Sequence, residues 1–279
     1  MAVRIVTDST CDLPPALVEA HGIRVVPLTV SFGEEALRDG IDIKPEDFYD
    51  RLKASSSLPK TSQPSASLFE EAYREAGKDG DAVVSIHLSS KLSGTLNAAS
   101  VAREAVSPDI HVDLIDSYNV SLGLGLIVLE AARTAQQGGS REEVVAAARS
   151  AMERVSIHVC LDTLEYLRKG GRIGRAQSLA GSVLSIKPIL SVENGEVTPF
   201  ERVRTRGKAV ERIFAIAASM GRAKQMFVAC SGNDDEARAF MDRLRPHLPH
   251  TDLLLGHLGP VVGVYAGPGA IGVAALERE

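Results

Sequence analysis

Short apolar, β-branched stretches alternate with helix-length amphipathic stretches through the first half of this chain, and that alternation constrains the fold more than any other feature. Residues 4–7 read as a strand ending at Asp8-Ser9-Thr10, residues 14–21 as a helix with proline near its start, and residues 23–30 as a second strand. Residues 45–52 and 68–76 carry helical periodicity, and the Ser/Pro-rich run 55–67 between them reads as a loop. A third strand follows over 82–88, a helix over 94–105, and a fourth strand over 110–115 that ends in Asp116-Ser117. Helices over 122–137 and 141–154, broken at Gly138-Gly139, complete this half. Neighbouring parallel strands need a crossover connection, usually a helix, so the alternation predicts a mainly parallel sheet with helices on both faces.

The second half has a different pattern. Residues 157–161 form a strand, 163–167 a short helix, and the strands 186–192 and 197–204 flank Glu193-Asn194-Gly195-Glu196, an Asn-Gly hairpin signal. A helix over 207–220, a strand over 225–230, a helix over 234–244 and a strand over 251–255 follow. A hairpin among alternating elements predicts an α/β unit with a mixed or antiparallel sheet. We therefore expect two α/β domains, residues 1–154 and 155–279, packed closely because no low-complexity linker separates them.

One stretch resembles a membrane span. Residues 258–276 contain no charged side chain over 19 positions, with Gly259, Gly263 and Gly267 at GxxxG spacing. Five glycines and two prolines in that stretch fit a buried loop, short helix and strand better. No integral membrane span is expected, and the charged N-terminus does not read as a signal peptide, so the expected location is the cytoplasm.

Composition excludes several classes. The net charge of −5 and pI near 5.9 lack the basic footprint of a nucleic-acid binder, although Arg168 to Arg175 form a local basic cluster. Cys11, Cys160 and Cys230 are far apart with no CxxC pair, which argues against a disulfide framework and against structural zinc. GxSxG, HExxH and GxxxxGK[ST] are absent. Gly267-Pro268-Gly269-Ala270-Ile271-Gly272 matches GxGxxG but has no room for a following βαβ unit. No two histidines make a metal pair, and His87 and His158 lie in apolar strands, where a satisfied core histidine is the plainer reading.

Two hydroxyl-rich segments remain, Thr61-Ser62-Gln63-Pro64-Ser65 and Leu88-Ser89-Ser90-Lys91-Leu92-Ser93-Gly94-Thr95. Ser93 sits where a loop enters a helix, so its hydroxyl either caps the helix or joins the helix N–H groups in holding an anion. Thr61 and Ser62 belong either to a polar turn or to the same donor set. The 168–175 cluster reads as a solvated basic loop. Asp8 and Asp116 end strands at the carboxyl edge of the sheet, where they either cap loops or serve as a general base beside Ser93. Neither hydroxyl segment contains a His, Cys or carboxylate, so the pattern points to a protein that presents a ligand more than to one that transforms it alone.

In order along the chain, these segments resemble the DegV family of bacterial fatty-acid-binding proteins. The carriers are Val6-Thr7-Asp8-Ser9, Lys60-Thr61-Ser62-Gln63-Pro64, Leu88-Ser89-Ser90, Leu92-Ser93-Gly94-Thr95 and Asp116-Ser117. To these are added the run Leu161 to Ile173 with its Arg168-Lys169-Gly170-Gly171-Arg172, then Ile186-Lys187-Pro188-Ile189-Leu190, Gly259-Pro260-Val261-Val262-Gly263 and Gly267-Pro268-Gly269. The resemblance implies a tunnel for one long-chain fatty acid between the two domains. It also implies a role as the acyl-carrying subunit of a fatty acid kinase, whose separate catalytic subunit supplies ATP and phosphorylates the bound carboxylate. On that reading the chain is not itself an enzyme and carries no cofactor or metal, and it serves phospholipid metabolism. Carried over by position, Thr61, Ser62 and Ser93 contact the carboxylate, while Arg202 and Arg172 face the kinase. Tyr265 stands where the family usually has a histidine; a phenol still donates a hydrogen bond but carries no positive charge at neutral pH. The alternatives are a lipid carrier or sensor uncoupled from phosphorylation, and a hydrolase or transferase using Ser93 with Asp8 or Asp116.

Overall fold

Strand, turn and helix follow the order set by the hydrophobic periodicity, with one exception near the N-terminus. In the computed structural model, which describes residues 2–107, 109–179, 186–232 and 234–279, the chain begins β1 (Val3–Asp8), α1 (Pro15–Ala20), β2 (Arg24–Val26), β3 (Thr29–Phe32), β4 (Glu35–Arg38), α2 (Pro45–Ala54), β5 (Lys60–Ser62) and α3 (Ala66–Ala76). It continues with β6 (Ala82–His87), α4 (Thr95–Val106), β7 (Val112–Asp116), α5 (Ser121–Gln136) and α6 (Arg141–Arg154). The second half runs β8 (Val155–Cys160), α7 (Glu165–Lys169), β9 (Lys187–Glu193), β10 (Glu196–Val203), α8 (Arg206–Ser219), β11 (Ala223–Cys230), α9 (Asp234–Leu244), β12 (Asp252–His257), α10 (Pro260–Ala266) and β13 (Ile271–Glu277).

The first half forms the expected parallel sheet, in the order β2-β1-β6-β7. Strand side chains alternate between faces. Val6 and Val83 accordingly pack against Phe69 and Tyr73 of α3 and Ala99 of α4, while Ile5 and Val84 pack into a second core with α5 and α6. Helices cover both faces. The second half forms one mixed sheet, β10-β9-β8-β13-β11-β12, in which β11 and β12 are parallel and the other pairings antiparallel. The β9–β10 hairpin turns through Asn194 and Gly195, both at positive φ (51° and 81°), the conformation an Asn-Gly turn supplies. Met226 and Val228 face α8 and α9, whereas Phe227 and Ala229 face α5.

The exception lies in residues 23–32. A single strand over 23–30 is not formed, because Pro27 lacks the N–H that a continuous ladder needs. β2 stays with the parallel sheet, and β3 turns away to join a separate antiparallel sheet, β4-β3-β5. The supposed loop 55–67 therefore contains a strand, β5, which carries Thr61 and Ser62 and was too short and too polar to read as one.

The uncharged stretch 258–276 becomes a turn, α10 and β13, and β13 is buried between β8 and β11. Its lack of charge is that of an interior strand. Among the described residues no helix is long and apolar enough to cross a membrane.

α5 is the centre of the molecule. Eleven of its 16 residues are buried, and its core includes Ile5 and Val84 from the parallel sheet together with Phe227, Ala274 and Leu276 from the mixed sheet. Gly123 and Gly125 let it approach its neighbours: a Cβ on Gly123 would meet Ile157 of β8 at 2.4 Å, and one on Gly125 would meet the Cys11 carbonyl at 2.6 Å. Replacing Gly125 with Ala gains at most ~1 kcal/mol of helix propensity but forces a contact with backbone that cannot rotate away, an overpacking cost of ~1–3 kcal/mol. Urea denaturation of Gly125→Ala is therefore expected to show net destabilisation of up to roughly 2 kcal/mol.

Candidate functional site

The carboxyl ends of β1 and β6 open towards the inner face of the mixed sheet, and a cavity of ≈ 370 Å³ lies between them, within the range of small-molecule sites. Its inner wall is aliphatic: Ile157 and Val159 come from β8 and Leu161 from its exit, Leu190 and Ala274 come from β9 and β13, and Leu122 from the start of α5. Alternation along β8 accounts for this, since residues 157, 159 and 161 share one face while Cys160 turns to the opposite core.

The polar groups are gathered at one part of the wall. Thr61, Ser62 and Gln63 come from β5 and its exit, Ser93 and Gly94 from the turn before α4, Tyr265 from α10, and Arg172 from the turn after α7. Thr61 Oγ1 and Tyr265 Oη are hydrogen-bonded at 2.5 Å. A Cβ on Gly94 would lie 2.1 Å from Gln63 Oε1, so the bare glycine lets the Gln63 side-chain amide rest against the Ser93 turn. The Arg172 guanidinium lies 5.2 Å from the Tyr265 ring centroid and donates to the Leu92 carbonyl at 3.2 Å, tying the basic turn to the hydroxyl segment. Gly170 permits this approach, because a Cβ there would meet the Tyr265 ring at 2.5 Å.

The structure thus brings Thr61, Ser62, Ser93 and Tyr265 together in one wall. Arg172 lines the same wall and is not confined to an outward-facing surface, so the 168–175 cluster is more than a solvated loop. Arg202 is exposed on β10 and does not line the cavity. Gln63 joins the site without having been singled out; its place beside Thr61 and Ser62 in the same motif was the available signal. Ser93 retains some capping character, because its hydroxyl accepts the Thr95 N–H at 3.3 Å and shares a hydrogen bond with the Thr95 hydroxyl at 2.9 Å. In the other segment Ser65, not Thr61 or Ser62, caps α3 through the Leu68 N–H.

The two strand-end carboxylates have other occupations. Asp8 is buried and accepts from the Thr10 N–H and hydroxyl, the Leu88 N–H and His87 Nδ1. His87 is bonded in turn to Ser85, and Ser85 to Tyr73, so this histidine is a satisfied core residue. Asp116 accepts from the Ser90 and Tyr118 N–H groups, an Asx-type cap. Neither carboxylate bonds to Ser93, and neither lines the cavity. His158 differs from His87: its Nδ1 is buried without a hydrogen-bond partner, and its ring packs edge-on against Phe200.

A pair of carboxylates that sequence reading missed positions the helix bearing Tyr265. Asp12, held at φ 53° after the Ser9–Cys11 turn, accepts the Gly259 N–H at 3.0 Å and the Ser121 hydroxyl at 2.5 Å. Asp39 accepts the Ser9 hydroxyl at 2.8 Å and a backbone hydrogen bond from Val261. The first-half loops thereby satisfy N–H groups at the start of α10 that no intrahelical carbonyl can reach. No local pattern betrays this, since Asp12 and Gly259 lie 247 residues apart.

A model of the family described as an uncharacterised protein, DegV family, matches residues 2–278. A DegV domain-containing protein of Streptomyces coelicolor is 43% identical over 99% of both chains. The chain belongs to the DegV family. Among solved DegV structures, that of Bacillus subtilis DegV, described as a fatty acid binding protein, superposes with a TM-score of 0.92 at 36% identity over 100% of each chain. A stearic acid-binding protein of Eubacterium ventriosum gives a TM-score of 0.92 at 28% identity, covering 99% of this chain and 98% of its own.

Burial raises the Asp39 carboxyl from its ordinary value to about 7 and pushes Asp12 well above the usual carboxylate range, with neighbouring carboxylates adding to the effect in both. A group that holds its proton more tightly when folded contributes stability below its unfolded pKa and loses it as pH rises through the folded one. For Asp39 that window runs from about pH 4 to about pH 7. Asp39→Asn, which stays neutral, is expected to flatten the fall in unfolding free energy across this window, measured by urea denaturation at about pH 5 and about pH 8.

Proposed function

We propose that this chain binds a single long-chain fatty acid, with the acyl chain in the apolar cavity and the carboxylate against Thr61, Ser62, Ser93 and Tyr265. The observation that carries the reading is the division of one cavity into an aliphatic wall and a compact cluster of hydroxyl donors. A buried carboxylate needs donors for its lone pairs. If Tyr265 donates to Thr61, the Thr61 hydroxyl remains free to donate to the ligand, and Arg172 adds the positive charge that Tyr265 lacks. The Bacillus subtilis and Eubacterium ventriosum relatives, whose described ligands are fatty acids, support the same ligand class.

Magnitudes favour a long chain. About fourteen methylenes at ~0.8 kcal/mol each contribute roughly 11 kcal/mol of transfer free energy, whereas six contribute only ~5 kcal/mol. Association costs ~4–15 kcal/mol, so the shorter acid binds weakly. With 4% aromatic residues and no Trp, the lining that receives the chain is mostly Val, Leu, Ile and Ala.

The reading extends to phosphorylation by a partner. Phosphoryl transfer needs Mg²⁺ and a nucleotide held in line with the acceptor, and the described cavity lining offers hydroxyl, amide and guanidinium groups in place of the carboxylates that hold Mg²⁺. We assign nucleotide and metal to a separate kinase subunit that meets the polar end of the cavity near Arg172, with Arg202 in the same outer surface. The division into domains 1–154 and 155–279 and a cytoplasmic location belong to this proposal.

Native mass spectrometry of the purified chain is expected to show one bound acid of fatty-acid mass; a chain that is empty and refuses added palmitate overturns the reading. Thr61→Ala with Ser93→Ala is expected to weaken palmitate on the order of a hundredfold and its methyl ester far less. Equal losses would reduce both residues to loop and helix caps. Acyl phosphate formed from bound acid on adding a DegV-partner kinase with ATP supports the coupling to phosphorylation; none formed leaves carriage without it.

A further inference from the structure

β11 and β12 are the parallel pair of the mixed sheet, and their last residues, Cys230 and His257, are register partners. The connecting helix α9 begins with Asp234 at the same edge. A sulfur, an imidazole nitrogen and a carboxylate oxygen therefore converge at the carboxyl end of a β-α-β unit, where open α/β sheets place ligands. The three ligand atoms lie within 4.8 Å of one another. Cys230 Sγ is 3.8 Å from Asp234 Oδ1, and His257 Nε2 is 2.7 Å from the same oxygen.

We propose that Cys230, Asp234 and His257 bind a divalent transition-metal ion of the zinc class. Thiolate, imidazole and carboxylate together suit Zn²⁺ or Co²⁺ and do not suit Mg²⁺ or Ca²⁺, which take oxygen ligands. Bonds of ~2.0–2.3 Å in a tetrahedral site place ligand atoms roughly 3.3–3.6 Å apart. The sulfur–oxygen spacing is already close to that. The nitrogen–oxygen spacing is that of a hydrogen bond, which the ion would replace by opening it about half an ångström.

The surroundings complete the site. Cys230 is buried, while Asp234 and His257 reach a second cavity of ≈ 240 Å³ whose far wall is α2, so the fourth coordination position opens into that cleft. Among the described residues, Glu46, Asp50 and Asp234 outnumber the nearby cations, Lys53, which is paired with Asp50 at 3.4 Å, and Arg238, which lies beside Asp234. That excess of negative charge draws a cation. The other carboxylate oxygen of Asp234 lies 3.7 Å from Arg238, an outer partner that orients it. On binding, the Cys230 thiol gives its proton to solvent and the imidazole moves its N–H from Nε2 to Nδ1, so three lone pairs face the ion. The site is separate from the acyl cavity: Ala229 lines that cavity, and Cys230, the next residue, packs in the core on the other face of the sheet.

The test is a Co²⁺ titration of the tag-free, chelator-treated full chain under reducing conditions. One equivalent is expected to produce thiolate-to-cobalt charge transfer in the near ultraviolet with tetrahedral visible bands, both erased by Zn²⁺. Cys230→Ser is expected to abolish the charge transfer, and Cys160→Ser, a thiol outside the cluster, to keep it. His257→Gln and Asp234→Asn, at the more exposed ligands, are expected to weaken Co²⁺ by more than the ~10–100-fold that loss of an outer-shell partner costs. They keep the test valid should Cys230→Ser fail to fold. Absence of charge transfer in the folded wild type, its survival in folded Cys230→Ser, or full affinity in both surface variants would overturn the site. Fatty-acid binding is unaffected by any of these outcomes.

Discussion

Everything in this molecule is arranged around a helix that has no polar face along most of its length. α5 runs Ser-Leu-Gly-Leu-Gly-Leu-Ile-Val-Leu from Ser121, and such a segment is stable in water only when covered on all sides. The parallel sheet with α6 covers one side and the mixed sheet the other. The two sheets are thereby joined through one continuous core, and the space beside the first turn of α5, where Val120, Ser121 and Leu122 begin the helix, becomes the cavity. Site and core share a wall.

The carboxylates Asp12 and Asp39 add a directional constraint that apolar contact cannot supply. Burying two carboxyl groups is costly, and both hold their protons more tightly as a result. In return the start of α10 is fixed against the first-half loops through Gly259 and Val261. α10 then delivers Tyr265 to Thr61. A polar cluster some way from the hydroxyl donors therefore sets where one of them stands.

Much of this was legible in order but not in depth. Alternating periodicity located β1, β6 and β7 and the helices between them, because a strand that must be buried on both faces announces itself by continuous apolar residues. Asn194-Gly195 located the hairpin, because few residue pairs accept two successive positive φ angles. The small sheet β4-β3-β5 escaped because its strands are short and partly exposed, stabilised by pairing across 29–62 and not by any local preference. The motif residues Thr61, Ser62, Ser93 and Tyr265, grouped from motif order alone, line one cavity, as does Arg172, which was assigned only an outward role. Its stacking over Tyr265 depends on Gly170 having no side chain, a matter of space and not of chemical type.

By itself, then, the sequence determined most of the helices and the strands of the two main sheets, the division into a parallel and a mixed sheet, the family and the chemical character of the hydroxyl segments. These follow from periodicity, turn chemistry and motif order, all of which are local along the chain. Only the tertiary structure decided that the hydroxyls share one wall, that Asp8 and Asp116 serve the backbone, that Asp12 and Asp39 hold α10, and that Cys230 and His257 end adjacent strands. The reason is distance: these arrangements join residues tens to hundreds of positions apart, and their energies come from burial and approach geometry that exist only once α5 has drawn the two sheets together.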